Sequence, residues 1–339
     1  MTETNRLFTL AQRPTGKPDD DTFELVEAEI PTPAAGEVLL RTLYLSVDPY
    51  MRGRMSAGES YAEPWAVGEP LRGGVVAEVV DSNSDELAPG DVVTGELQWA
   101  EYAVATPEEL RQIDPDQAPI STALGVLGMT GITAYFGTRE VAEPEAGDTF
   151  VVSGAAGAVG SVAGQIARID GARVVGFAGS DEKVEFIEDE LGFDVGINYK
   201  KADNYEGALA AAAPDGVDVY FDNVGGPITD AVFTQLNVHA RVAVCGQISL
   251  YNATEQPVGP RKLTTLVTRR ARVEGFLVSD FQPRWGEAIE HLAGWLQDGS
   301  LQYRETITEG FENAPAAFLG LFEGDNIGKQ LVKVADYEP

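Results

Sequence analysis

A single cysteine, Cys245, and two histidines, His239 and His291, are the whole supply of thiol and imidazole in 339 residues. One thiol excludes an internal disulfide and any zinc site built from several cysteines. His239 opens a strand-like run and His291 lies within a helical one, neither with a ligand at metal-site spacing, so both are expected to be structural and no metal is expected. No run of 18 apolar residues occurs, and the opening MTETNRLFTLAQRP has no basic-then-apolar pattern. The expectation is a soluble, cytoplasmic protein with no membrane partner. Basic residues are scarce: 24 Lys and Arg face 54 Asp and Glu, for a net charge of -30. Nucleic-acid binding requires counterion-releasing basic patches, so that class is set aside. Only seven of the 24 basic residues are lysine. An acid excess spread along the chain, with arginine preferred to lysine, fits a halophilic source in which salt screens the self-repulsion.

What is present is the material of a folded protein, 44% hydrophobic with 9% aromatic residues. The first third carries short apolar runs bounded by Gly, Pro and Asp, such as EVLLRTLYLSVDP, RGGVVAEVV and GDVVTGEL, which read as strands. From Gly128 strand-like and helical runs alternate, DTFVVSG then AVGSVAGQIARI, ARVVGFAG then DEKVEFIEDELG, six times in all. That alternation predicts an α/β, doubly wound parallel sheet. The tail, LQYRETITEG, NAPAAFLGLFEG and KQLVKVA, reads as strand, helix and strand able to return to the first third. The expected division is a β-rich domain of residues 1–127 and 303–339 around an α/β domain of residues 128–302, with the ligand in the cleft between them.

Within GAAGAVG the glycines stand at 154, 157 and 160, after an apolar strand and at the opening of a helix read as Ala158–Ile169. Gly154 allows the sharp turn, Gly157 lets a pyrophosphate approach, and Gly160 brings helix and sheet together. Free N–H groups at the helix start suit phosphate, so a dinucleotide site is predicted. An NAD site would place Asp or Glu at the end of the next strand. That window, Val175 to Ser180, carries no charge, whereas Lys183 follows in the first helical turn. A carboxylate there would repel a 2′-phosphate; Ser180 and Lys183 would hold one, which predicts NADP rather than NAD. Asp181 is assigned to helix capping beside Ser180.

Further runs join these: VDPYMRGRM, LGMTGITAYFG, AAGAVGSVAGQIA, GSDEKVEFI, FDVGINYK, FDNVGG, CGQISLYN and VEGFLVSDF. In this order and over nearly the whole chain they resemble the zinc-independent medium-chain dehydrogenase/reductases, in the branch of prostaglandin reductase, plant double-bond reductases and curcumin reductase. The resemblance implies a GroES-like β domain joined to a Rossmann domain, a homodimer, and NADPH-dependent reduction of the C=C bond of α,β-unsaturated ketones and aldehydes. It places Ala158, Val159, Gly160 and Ser161 at the pyrophosphate, Lys183 at the 2′-phosphate, and Tyr199 by the adenosine ribose. It sets Asn223, the run Cys245, Gly246, Gln247, Ile248, Ser249, Leu250 and Tyr251, the run Phe276, Leu277 and Val278, and Asn326 along the nicotinamide side. Gln247 departs from the small residue of many relatives, and Leu250 precedes the tyrosine.

Conjugate reduction needs hydrogen-bond donors at the carbonyl oxygen, where enolate charge develops, and a proton for the α-carbon. Tyr50, in VDPYMR, and Tyr251, at the carboxyl edge of the predicted sheet, are the candidate catalytic phenols. Asp48 and Pro49 would shape the turn presenting Tyr50, and Arg52 and Arg54 are read as surface ion-pairing residues rather than anchors for an acidic substrate. A quinone reductase of the same superfamily and a non-catalytic NADPH-binding protein are the rival functions. The charge balance yields the first prediction. As KCl is raised from about 0.1 M to about 1 M, the screening length falls from about 10 Å to about 3 Å, and the thermal midpoint should climb. A midpoint that is flat or falls in calorimetry removes the halophilic reading.

Overall fold

The computed structural model describes residues 4–58 and 60–337. The chain opens with a hairpin of β1 (Thr4–Leu10) and β2 (Phe23–Glu29), and enters the main β sheet at β3 (Val38–Ser46). A short helix, α1 (Met51–Arg54), follows, then β4 (Arg72–Ser82), β5 (Val92–Gln98), β6 (Tyr102–Ala105) and β7 (Arg111–Ile113). Helix α2 (Met129–Phe136) leads into β8 (Thr149–Ser153), α3 (Gly160–Ile169), β9 (Arg173–Ala178), α4 (Asp181–Glu185), β10 (Val195–Asn198) and α5 (Tyr205–Ala212). The alternation continues through β11 (Val217–Asp222), α6 (Gly226–Phe233), β12 (Leu236–Val244), α7 (Leu263–Arg269), β13 (Arg272–Gly275) and α8 (Trp285–Asp298). The tail supplies β14 (Glu305–Glu309), α9 (Ala314–Gly320) and β15 (Lys329–Lys333).

The six expected strand–helix units form one parallel sheet in the order β10-β9-β8-β11-β12-β13. The order reverses between β8 and β11, which leaves a crevice at the carboxyl ends of those strands. Strand β8, TFVVS, is buried at all its positions. Its Phe150 and Val152 enter one core with Val174 and Phe221, and Val151 enters the other with Val175, Tyr220 and Val242. Alternate side chains of a strand point to opposite faces, so a sheet covered on both sides needs apolar residues at every position.

The tail returns as expected. Strand β15 pairs antiparallel with β3, and β14 pairs with β15, in the sheet order β14-β15-β3-β4-β5-β7. Phe311 and Phe318 join Phe8, Leu40, Val75 and Trp99 in its core, with the Phe8 and Phe311 rings 5.1 Å apart. The crossings between the two cores fall between Leu124, buried with the β sheet, and Val126, buried with the parallel sheet, and again between Leu301 and β14.

Two local expectations differ. Helix α3 begins at Gly160, leaving Ala158 and Val159 in the turn. His239 sits within β12 at φ 68, next to the register shift opposite Val217 and Val219, rather than opening a strand. His291 stacks on Tyr135 with ring centroids 5.5 Å apart.

Gly164 faces the Phe193 ring so closely that a Cβ would collide with its edge. Ala in place of Gly inside a helix ordinarily gains about 1 kcal/mol. Here overpacking against a buried ring outweighs that gain, and Gly164→Ala should destabilise the fold by about 1–2 kcal/mol in urea unfolding. A neutral or stabilising result would show that Phe193 yields freely.

Candidate active site

The turn after β8 sets three glycines beside backbone N–H groups that have no acceptor among the described residues. Gly154 has φ 63, a left-handed conformation that glycine adopts without strain, whereas a Cβ there would meet Asn223 and Val224 only at ordinary contact distance. A Cβ on Gly160 would collide with the Gly154 carbonyl, so close helix–strand packing demands glycine there. Among the described residues the N–H groups of Ala158, Val159 and Gly160 meet no backbone acceptor, whereas that of Ser161 is bonded to the Gly157 oxygen at 3.0 Å. The first three are the donors this turn offers an anion; Ser161, assigned to the pyrophosphate, has its own N–H committed. The β domain closes the turn from outside. Gly328 donates its N–H to Ala156 O at 2.7 Å and bridges to Gly157.

Strand β9 ends in Ala178; Gly179 and Ser180 follow without charge, and the first carboxylates, Asp181 and Glu182, stand in the opening turn of α4. Ser180 caps α4, its Oγ accepting from the Lys183 N–H at 3.2 Å. Asp181, expected to share that capping, is drawn away instead: it accepts from Asn198 Nδ2 at 2.7 Å and pairs with Lys201. The Lys183 ammonium donates to Gly324 O of the β domain at 2.7 Å, beside a cavity of about 430 Å³ that Ser180, Arg304, Thr306 and the acids Glu182, Glu305 and Asp325 also line. Burial, and then the nearby Lys200, hold the Lys183 pKa below the ordinary lysine value. An anion in the cavity would relieve both costs. Lys200 and Arg304 were absent from the expected set; only the fold brings them here. Tyr199 lies across Gly179, where a Cβ would come within 2.9 Å of its hydroxyl.

The other wall descends from Asp222, a fully buried carboxylate at the carboxyl end of β11. It accepts from Tyr220 OH, Ser153 Oγ, Thr229 Oγ1 and the N–H groups of Val224 and Gly225, at 2.8–3.1 Å. Its own carbonyl takes the N–H groups of Cys245 and Gly246 at 2.9 and 3.1 Å. Asn223, held by Ser153, then fixes Ile248, and Val224 O fixes Ser249 through both its N–H and its Oγ. The signal for Asp222 was available: it is the acid that ends the strand-like run VDVYFD. Gln247 packs on Gly225, where a Cβ would meet it at 2.9 Å, so the larger residue fits only because position 225 is glycine at φ 73.

Tyr251 reaches back over Gly246, and its hydroxyl accepts the Gln247 N–H at 3.3 Å. Burial raises its pKa. Tyr50 caps α1 from the β domain; burial and then Asp48 push its pKa far above the usual tyrosine value. Among the described residues its hydroxyl has no hydrogen-bond partner. Asp48 itself is buried, accepting from Ser46 and from Lys329 Nζ, the latter at 2.9 Å. A third phenol, Tyr61, is 64% exposed on the loop after α1. Desolvation and then Tyr251 raise its pKa, so the two phenols lie within electrostatic reach of each other. Sequence reading passed over it because loop position follows no periodicity.

The Phe276 ring packs against the core, edge-on to Phe221 and against Gly137, and Val278 O accepts from Trp285 Nε1. Asn326, assigned to the nicotinamide side, lies between Gly324, which holds Lys183, and Gly328, which holds Ala156, with its own amide bonded to Gly328 O at 2.7 Å. Arg54 does pair on the surface, with Glu96 at 2.7 Å. Arg52 does not: it is 5% exposed and bonded to no carboxylate. Among the described residues no group of three or more His, Cys, Asp or Glu is placed to hold a metal ion, and no helix is long and apolar enough to cross a membrane.

Comparison with known proteins agrees with this geometry. Residues 6–113 match the family model described as the N-terminal domain of oxidoreductase, and residues 158–294 the one described as zinc-binding dehydrogenase. The chain is 55% identical to the putative NADP-dependent oxidoreductase YfmJ of Bacillus subtilis, over 99% of each chain. It is 44% identical to the NADPH-dependent curcumin reductase of Escherichia coli, covering 98% of this chain and 97% of that one. The solved structure of CurA from Vibrio vulnificus in complex with NADPH superposes with a TM-score of 0.94 at 45% identity, covering 98% of this chain and 99% of that one.

Cys245 supplies the prediction from this wall. Burial, and then Asp222, push its thiol up to about 12. Thiolate is therefore scarce at pH 8, and iodoacetamide should alkylate the native protein on the order of 50-fold slower than free cysteine. Alkylation as fast as that of the urea-unfolded chain would show an open, ordinary thiol.

Proposed function

Because the chain belongs to the zinc-independent medium-chain dehydrogenase/reductases, in the branch of the curcumin, prostaglandin and 2-alkenal reductases, we propose that it reduces the C=C bond of α,β-unsaturated ketones and aldehydes with NADPH. The observation that carries this reading is the pairing of a lysine, not a carboxylate, at the adenosine end with free phenols at the other. Bound in the cleft, NADPH supplies the hydride that reaches the β-carbon.

The residues fit that cofactor. The free N–H groups of Ala158, Val159 and Gly160 would hold the pyrophosphate, with no side chain at Gly157 in the way. Lys183, with Lys200 near it, would exchange the Gly324 carbonyl for the 2′-phosphate, and Tyr199 would border the ribose. The 245–251 segment and Leu277 would line the nicotinamide side.

Tyr251 is the better placed proton donor. Its oxygen already accepts from the Gln247 N–H, which leaves the O–H hydrogen free to point into the cleft and would support the oxygen after the proton departs. Burial keeps both Tyr50 and Tyr251 protonated at neutral pH, so each donates to the carbonyl oxygen as negative charge grows there. One such donor is worth about 3–4 kcal/mol in the transition state. Tyr61, on the loop above, closes the cleft from the solvent side.

The remaining features follow the same reading. The β domain of residues 1–127 and 303–339 supplies Tyr50 and the α/β domain of residues 128–302 the cofactor cradle. We take the working form as a cytoplasmic homodimer. Strand β13 ends the parallel sheet with one edge unpaired and all four residues exposed, and Val273, Leu263 and Val267 add apolar surface nearby. An open edge of this kind is covered in a stable protein.

Following NADPH absorbance in molar KCl with an aliphatic enone, an enal and a naphthoquinone tests the activity; turnover of the quinone alone removes the proposal. Lys183→Ala should weaken NADPH by about 10- to 100-fold and leave NADH unchanged, since a charge-assisted hydrogen bond is worth about 1.5–3 kcal/mol. Equal loss for both cofactors would place the 2′-phosphate elsewhere.

A further inference from the structure

Arg52 is a buried cation with no carboxylate partner among the described residues. In a chain with 54 acidic residues, a guanidinium buried for stability would have a carboxylate beside it, because desolvation costs several kcal/mol per ion. Arg54, two residues on, is satisfied in that way. Arg52 is not, and burial holds its pKa below the usual arginine value.

Its acceptors are neutral and come from three separate segments. Nε donates to Gly16 O at 3.2 Å and to Asn252 Oδ1 at 3.1 Å, Nη2 to Gly16 O at 2.8 Å, and Nη1 to Ser56 Oγ at 2.7 Å. Gly16 belongs to the loop between β1 and β2, Ser56 follows α1, and Asn252 lies in the α/β domain directly after Tyr251. The Gly16 loop also touches that domain, since a Cβ on Gly16 would lie 3.2 Å from Thr254 Cγ2. The same loop is tied down on its own side by Arg13, which donates to Met55 O at 3.0 Å and Trp65 O at 2.7 Å. Arg52 thus stands at a junction, two residues from Tyr50 and bonded to the residue after Tyr251.

We infer that Arg52 is a positioning residue that straps the Tyr251 loop to the Tyr50 helix, holding the two phenols at one spacing across the cleft. The planar guanidinium suits this task because its donors point in fixed directions, whereas a lysine ammonium would hold the charge and lose the fork. A displacement of about 1 Å between reacting groups costs on the order of 100-fold in rate. The strap rests on the proposed roles of the two tyrosines.

The test uses the full-length protein. Asn252→Ala removes the cross-domain acceptor and leaves the Gly16 and Ser56 bonds, and Arg52→Lys removes the fork. Each should lower kcat on the best enone about tenfold, with NADPH affinity and the thermal midpoint of Asn252→Ala unchanged. Asn252→Asp, which keeps the oxygen, should restore kcat, and the double variant Arg52→Lys with Asn252→Ala should be no slower than the slower single one. Unchanged kcat in Asn252→Ala, or losses that multiply in the double variant, overturn the inference. Amide hydrogen exchange at residues 250–254 reads the strap without a substrate: it should quicken in both single variants. If wild-type protein reduces no enone, the functional reading fails while exchange still decides; unchanged exchange overturns the strap whatever the substrate.

Discussion

A carboxylate with no access to water, at the carboxyl end of β11, holds the cofactor edge of this molecule together. Asp222 receives three hydroxyls and two backbone N–H groups, and its own carbonyl receives two more from the next strand's exit. A buried charge is tolerable only when its hydrogen-bonding capacity is used. Here the need to satisfy it dictates the course of residues 223–226 and 245–246, and those in turn hold Ile248, Ser249 and Tyr251. The crevice that the strand order creates becomes a shaped wall because one acid must be paid its hydrogen bonds.

The β domain is organised by a second buried charge, of the opposite kind. Lys329 on β15 meets Asp48 and the carbonyls of Val47 and Gln330 at 2.9–3.1 Å, and pins the VDPY turn to a strand nearly three hundred residues away. Pairing in the interior offsets the desolvation of both ions, while removal of either partner would leave the other uncompensated. Tyr50 inherits its high pKa from that environment, through burial and the adjacent Asp48. The two phenols of the cleft are therefore set beside two buried acids in different domains, and each acid adds to burial in holding its phenol protonated.

Between these units the junction is polar but largely uncharged. Gly328 to Ala156, Lys183 to Gly324, and Arg52 to Asn252 are hydrogen bonds to backbone or amide oxygens. On a surface carrying a net charge of -30, ion pairs across the junction would vary in strength with salt. Contacts to neutral oxygens keep their strength as ionic strength changes, a useful property where cleft geometry sets the chemistry. The exception among the described residues, Arg304 with Glu190 at 3.8 Å, lies exposed at the rim.

The local pattern was enough to read six strand–helix units, the returning tail and the glycine turn, because hydrophobic period and the placement of glycine and proline act within a few residues. The preference for a 2′-phosphate was legible for the same reason: the absent acid and Lys183 lie within one βαβ unit. Tertiary structure alone decided the rest. That Asn326 lies between Gly324 and Gly328 beside the Lys183 contact, that Arg304 lines a cavity with Lys183, that Tyr61 comes within electrostatic reach of Tyr251, and that Arg52 is buried between domains all depend on segments far apart in sequence. Local propensity has no hold over such pairs; only packing the two cores against each other brings them within hydrogen-bond or electrostatic reach.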